Sequence, residues 1–380
     1  LVGSEMCIRD RFSLCVITSA FGLLMVYSAT RYTLKDGAHF SREFIIMLLA
    51  IFLGIIAALF LSYFDYQVYT KFWPVIAVFC VIIMLVLFKW GTGPSSRPDA
   101  RTWLSIGPIN FQPSELVKIG FIITFGVHLD KVKEKINNIF SILQLGAHAA
   151  VPIVLVAATG DMGSALVFMV IAIVMMFVAG VHWGYFLGGI ALVGAATPLI
   201  WTYVLKQLQK DRFLALIYPD LYPDIIYQQQ RGLNAIGAGG ITGQGLFKGA
   251  YTQAGAVPES QNDMIFSVVG EELGFIGCIT ALLLIVLITV RIIYVGKKSS
   301  EQSTNLICTG MAAMIIGQMI INVGMCLMLL PVIGITLPFF SAGGSSNLCV
   351  YLGIGIVMSI YRHNCDTGAV NIRVYDSLKK

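Results

Sequence analysis

Apolar stretches of about 18 residues or more recur along the whole chain, and this feature leaves few folds open. In a bilayer the backbone must satisfy its own hydrogen bonds, so such stretches form helices. Ten spans are expected, at 12–29, 44–62, 73–88, 114–129, 142–158, 163–180, 184–205, 264–294, 304–330 and 338–361. The expected fold class is all-α integral membrane, with one polytopic domain over 12–361. Only 12% of the 380 residues are charged, against about 25% in an average soluble domain. Mean hydropathy is +0.82. A water-soluble globule, a disordered chain and a nucleic-acid binder are excluded, the last two because both need far more charge.

Ten spans place both termini on one side. Thirteen flanking basic residues fall on that side and six on the other: Arg31, Lys35, Arg42, Lys89, Arg97 and Arg101. The positive-inside rule makes 1–11 and 362–380 cytoplasmic tails and 206–262 a long extracellular loop between helices 7 and 8. Residues 1–11 read as a polar leader without an apolar core and small-residue cleavage site, so no signal peptide is expected there. The eighth span is too long for one straight crossing, and its first turns are expected at the interface or beside a cavity. The eight cysteines form no C-x-x-C and the five histidines lack ligand spacing, so no metal site is expected. In span nine, Gly310, Gly317 and Gly324 form a packing stripe. Gln318 and Asn322 on that helix are expected to bond to a neighbouring helix.

Four polar groups gather at the outer ends of the spans. Arg101-Thr102-Trp103 precedes Gln112-Pro113-Ser114-Glu115, with Lys118 three residues on from Glu115 and on the same face. This reads as a helix start with a local ion pair, or as a site, since an ionisable group inside a span usually faces a cavity. Asp161, in a tight loop, is either an N-cap or a functional carboxylate. Asp263 stands where the long loop meets span eight, with Glu271 and Glu272 two turns further in. The loop before it holds Gly232, Gly237, Gly239, Gly240, Gly243, Gly245, Gly249 and Gly255, whose amides would be free to cradle a phosphate. Ser341 to Ser346 open the last span, and Ser345 and Ser346 sit where a helix start favours an anion or simply caps itself. Together these residues suit a lipid-linked phosphorylated substrate.

The same segments resemble the SEDS family, the RodA, FtsW and SpoVE proteins of bacterial cell-wall assembly. The resemblance rests on Phe111-Gln112-Pro113-Ser114-Glu115-Leu116, Ala235-Ile236-Gly237-Ala238-Gly239-Gly240, Val257-Pro258-Glu259 with Asp263 and Gly270-Glu271-Glu272-Leu273-Gly274, and Leu337-Pro338-Phe339 with Gly343-Gly344-Ser345-Ser346. It runs from Gly22 to Ile360. It implies a peptidoglycan glycosyltransferase in the bacterial plasma membrane that polymerises lipid II on the outer face. Asp263 matches the family's essential carboxylate. Arg101, Glu115, Lys118, Asp161, Ser345 and Ser346 are then expected to bind substrate. A divalent cation, magnesium or manganese, could share in neutralising the leaving pyrophosphate, although no cluster demands one. The resemblance further implies a class B penicillin-binding protein as partner, among other elongation or division proteins. Two departures stand out: Gln261-Asn262-Asp263-Met264 where the family has His-Thr-Asp-Phe, and Ser341-Ala342-Gly343-Gly344 where it has Ser-Tyr-Gly-Gly. Leu330-Pro331-Val332-Ile333-Gly334-Ile335 and Lys248 to Gln253 look more RodA-like, which favours elongation over a septal or sporulation role.

Two other classes compete. A precursor flippase needs polar groups deep in the membrane and on the cytoplasmic half for alternating access. The ionisable residues here gather at the outer end. A scaffold that only docks a penicillin-binding protein would not depend on Asp263.

Overall fold

The computed structural model describes residues 2–34, 39–93, 100–107 and 109–377. Lys35, Arg97, Lys379 and Lys380, all used in the charge comparison, lie outside them. A helix stands at each of the ten expected positions: α1 (Val2–Thr30), α2 (Arg42–Tyr63), α4 (Trp73–Trp90), α5 (Pro113–Lys131), α6 (Ile139–Ala158), α7 (Met162–Val178), α8 (Trp183–Leu199), α12 (Ile265–Lys298), α13 (Gln302–Cys326) and α14 (Gly344–Ser377). Shorter helices fill the connections: α3 (Tyr66–Lys71), α9 (Gln207–Ile217), α10 (Pro223–Gly239) and α11 (Ala250–Gln253). The antiparallel strands β1 (Leu104–Ile106) and β2 (Ile109–Phe111) precede α5.

Among the described residues eight helices are long and apolar enough to cross a membrane. The two expected spans outside that set are α5 and α7. Helix α5 carries Glu115, Lys118, Asp130 and Lys131, and α7 is only 17 residues long. Both lie inside the bundle, α5 against α4, α13 and α7, and α7 against α6 and α13. Helix α13 is the axis, buried over most of its length between α12, α7 and α5. Its glycines allow close contact: a Cβ on Gly310 would meet Ile122 of α5 and Met175 of α7. Helix α14 packs along α2.

Helix limits differ from the expected spans at several places: α1 begins at Val2 and not at 12, α14 runs on to Ser377 past 361, and α8 gives way at Leu199 to a short π-helical turn, Ile200–Val204. The eighth span, expected to be too long for one straight crossing, breaks at Gly274 (φ 67°, ψ −163°), a conformation open to glycine. The last span begins at Gly344, not at 338. Pro338 has no N–H and Phe339 adopts φ 67°, so 337–343 runs as an irregular segment beneath the helix. Its backbone is tied down by Ser341 Oγ, which accepts from Leu337 N, and by Asn347 Nδ2, which donates to the Ser341 and Gly343 carbonyls. The ninth span ends at Cys326 instead of 330, where Met328 turns to φ 58°.

Candidate functional site

Asp263 lies just before α12 and is buried, 8% exposed. Its loop is shaped by Glu259 (φ 53°), whose carbonyl accepts from the amides of Asn262 and Met264. The Asp263 carbonyl accepts from Asn322 Nδ2 at 2.7 Å, and the same amide donates to Ile335 O at 2.7 Å. One α13 side chain therefore joins the aspartate loop to the irregular segment before α14. A second tie is Ala342 N to Gln261 O at 2.8 Å. The two positions where the sequence departs from the family pattern thus touch each other.

The Asp263 carboxylate accepts from Gln228 Nε2 at 3.2 Å. Burial pushes its pKa up from an ordinary 3.8 to about 7, and the negative Glu259 adds to this; Arg212 and the Gln228 bond oppose it. Arg212 is held by donation from Nη1 to Val332 O at 2.6 Å. A carboxyl that titrates near neutrality is matched to proton abstraction at physiological pH. The rising limb of kcat/KM against pH is therefore expected near 7, not near 4. Glu259→Gln removes a like charge and should move that limb to lower pH. A limb that stays put in a pH–rate series would detach Glu259 from the aspartate. Because the folded pKa is raised, the stability linked to this group is present below about pH 4 and fades as pH rises through 7.

Glu115 and Lys118 form the expected pair inside α5, Nζ to Oε1 at 2.7 Å, with the lysine side chain fully buried. Pro113 and Glu115 occupy the first turn, where a missing N–H and a negative charge are both favourable. Asp161 caps α7: its Oδ1 accepts from Ser164 N at 2.9 Å. Its Oδ2 accepts from Gln112 Nε2 at 2.8 Å and from Ser114 Oγ at 3.2 Å. Gln112 is the hub, since its backbone N–H also donates to Ser345 Oγ at 3.0 Å. Ser346 Oγ accepts from Thr336 Oγ1 at 3.0 Å. Asp161 and Ser345 are thus engaged in holding α5, α7 and α14 together, and Ser346 is bonded to the segment that leads into α14. Arg101 is exposed on the extended segment before β1, fastened by its backbone N–H to Thr159 O.

Asp161→Ala is expected to lower stability by about 2 kcal/mol, by removing a cap and orphaning buried donors. Asp161→Asn should lose less. Thermal unfolding in detergent checks both, with activity normalised to folded protein.

The glycine-rich loop does not offer a free phosphate cradle. The amides of Gln244 and Gly245 bond to the Glu271 and Glu272 carbonyls left open by the break at Gly274, and Gly243 N bonds to Gly239 O. Phe275 N and Ile276 N return bonds to the Gly240 and Ile241 carbonyls. Gly239 is required because a Cβ there would collide with the Gly270 carbonyl of α12. Glu271 accepts from the Tyr251 and Thr252 amides, and Glu272 from Ser28 Oγ and Gln253 Nε2. Both carboxylates are structural. Among the described residues no three His, Cys, Asp or Glu side chains gather to hold a metal ion.

Two residues at this site escaped the sequence reading, Gln228 and Arg212, and Gln112 was named there only within its motif, without a role. The run Gln228-Gln229-Gln230-Arg231 was a signal, since polar side chains on a helix beside an apolar bundle need partners. Gln229 finds them in the Met325 and Leu330 carbonyls.

The model of the FtsW, RodA and SpoVE family, described as cell cycle protein, matches residues 9–366. The chain belongs to this family. Among family relatives, the peptidoglycan glycosyltransferase MrdB of Escherichia coli K12 is 28% identical over 314 residues, 82% of this chain and 83% of that protein. The probable peptidoglycan glycosyltransferase FtsW of Geobacter sp. strain M18 is 32% identical over 358 residues, 91% and 94% of the two chains. A chain from a structure described as the structural coordination of polymerization and crosslinking by a peptidoglycan synthase complex superimposes with TM-score 0.80 at 25% identity, covering 93% of this chain and 97% of that one. The rod shape determining protein RodA of Thermus thermophilus shares the fold at TM-score 0.68 and 23% identity, over 93% and 96%. This SEDS-family chain is therefore a multi-pass membrane protein.

Proposed function

We propose that this chain is a peptidoglycan glycosyltransferase that polymerises lipid II. The observation that carries the reading is Asp263, a buried aspartate with pKa about 7 at the head of α12, in a family whose curated relatives are named for this activity. Asp263 takes the proton of the acceptor sugar's 4-hydroxyl as that oxygen bonds to the donor's anomeric carbon. The bond from that carbon to the pyrophosphate breaks, and its electron pair leaves with the pyrophosphate. Lys118 and Arg101 neutralise the departing charge. The first turn of α14, at Ser345 and Ser346, offers its backbone N–H groups to the anion. All ten helices cross the bacterial plasma membrane. Both termini are cytoplasmic, and 206–262 lies outside with the chemistry. Lys131, Lys133, Lys135, Arg291, Lys297 and Lys298 at the opposite end of α5 and α12 support that orientation.

The partner is a class B penicillin-binding protein, as the synthase-complex neighbour supports. The RodA-like segments Leu330–Ile335 and Lys248–Gln253 favour elongation. A septal role is the second reading, favoured by the identity to FtsW of Geobacter. The test is purification in detergent, alone and with the cognate penicillin-binding protein, and incubation with labelled lipid II. Glycan ladders are expected on a gel. Their absence beside a competent control would turn attention to a lipid-flipping assay.

A further inference from the structure

Helix α13 carries two amides one turn apart, and they behave differently. Asn322 spends its Nδ2 on two carbonyls. Gln318 is fully buried, and neither its Nε2 nor its Oε1 has a hydrogen-bond partner among the described residues. The expectation that it bonds to a neighbouring helix fails. A buried amide with no partner is costly, so its position calls for an explanation.

Helix geometry gives one. Ile307 of α13 faces Gly126 of α5, and Met311 faces Gly353 of α14. Gln318 lies on the same stripe of α13 as both, because seven or eleven residues return a helix to nearly the same face. Both neighbours run antiparallel to α13. Counting equal rises from these contacts puts Gln318 level with Glu115 on α5 and with Ser346 on α14. Helices α5 and α14 pack against each other and meet at this end, where the Gln112 N–H donates to Ser345 Oγ. Glu115 is the only side chain bonded to Lys118 among the described residues.

We propose that Gln318 is a positioning residue that frees Lys118 for the substrate's pyrophosphate. Lys118 cannot serve that anion while neutralised by Glu115, and a buried carboxylate stripped of its cation is strongly unfavourable. Gln318 Nε2 donates to Glu115 as the ammonium turns to the phosphate. The free amide in the resting state is the donor held ready for this exchange. This rests on the lipid II reading above.

The test compares Gln318→Met and Gln318→Glu with wild type, in complex with the cognate penicillin-binding protein. Removing the amide with an apolar group of similar shape should leave the melting temperature equal or higher. The KM for lipid II should rise about tenfold or more, with a smaller change in kcat. Gln318→Glu adds a second carboxylate that holds Lys118 back, and its KM should rise further. Undecaprenyl pyrophosphate should raise the melting temperature of wild type and do so less for Gln318→Met, a readout independent of turnover. Unchanged KM and unchanged ligand shift in Gln318→Met would show the amide idle and overturn the proposal. So would a KM change matched by lost thermal stability, which means packing, or a fall in kcat alone. No ladder from wild type would instead sink the polymerase reading, and the pyrophosphate shift would still judge Gln318.

Discussion

Asp263→Asn is expected to lower lipid II polymerisation by about 10²–10⁴-fold, the range for removal of a general base, while the protein stays folded. The two halves of this expectation have separate causes. The fold around Asp263 is held by its backbone, through the carbonyl that Asn322 grips and through the Gln261–Ala342 bond. Substitution of the side chain leaves both in place. The carboxylate itself is buried beside Glu259, so a neutral amide removes a destabilising charge. The melting temperature should therefore be equal or higher, with the larger gain above pH 7. Asp263→Ala should also abolish ladders. Strands of normal length and amount from either variant would end the general-base assignment and return weight to a scaffold role.

Lys118→Met should be the most damaging substitution for stability and should also suppress turnover. It leaves Glu115 buried without its cation, at a cost of about 3–5 kcal/mol. Lys118→Met combined with Glu115→Leu removes both charges and should recover most of the stability, since paired apolar replacements are often neutral. Polymerisation should remain lost in the double variant. That separation distinguishes a lysine needed by the substrate from one needed only by the helix. Lys131, at the far end of α5, lies over the Trp73 ring at 4.3 Å on the surface. Its replacement by alanine should leave turnover near wild type, and equal rates for the Lys118 and Lys131 alanine variants would remove Lys118 from the site.

The helices were legible because membrane insertion is written in local sequence: a run of apolar residues forms the same helix whatever its neighbours do. The eight long apolar helices follow from that rule. Helix α5 was recognisable despite Glu115 and Lys118 because apolar residues continue on either side of them. The length of the eighth span announced that it is not straight, but the place of its break, Gly274, was hidden, since the amides of Gln244 and Gly245 that take up the opened carbonyls come from a separate segment. The glycine-rich loop misled for a related reason. Glycine signals backbone freedom, and sequence does not say whether a ligand or another helix uses it. Here α12 does.

Candidate residues were legible as types and illegible as roles. Asp263, Lys118 and Asp161 each stood out as polar groups near apolar spans. Sequence alone determined that they had to be explained, because an ionisable group beside hydrocarbon is costly unless paired or used. Tertiary structure decided which. It gave Asp161 three donors and a capping role, gave Lys118 a single carboxylate, and left Asp263 buried beside another negative charge. It also brought together groups with no local signature, Gln112 with Ser345 and Gln228 with Asp263. The division follows from the physics. Transfer of apolar residues into a bilayer is a sum over local segments, whereas the energy of a buried polar group depends on partners that only the packed bundle places within reach.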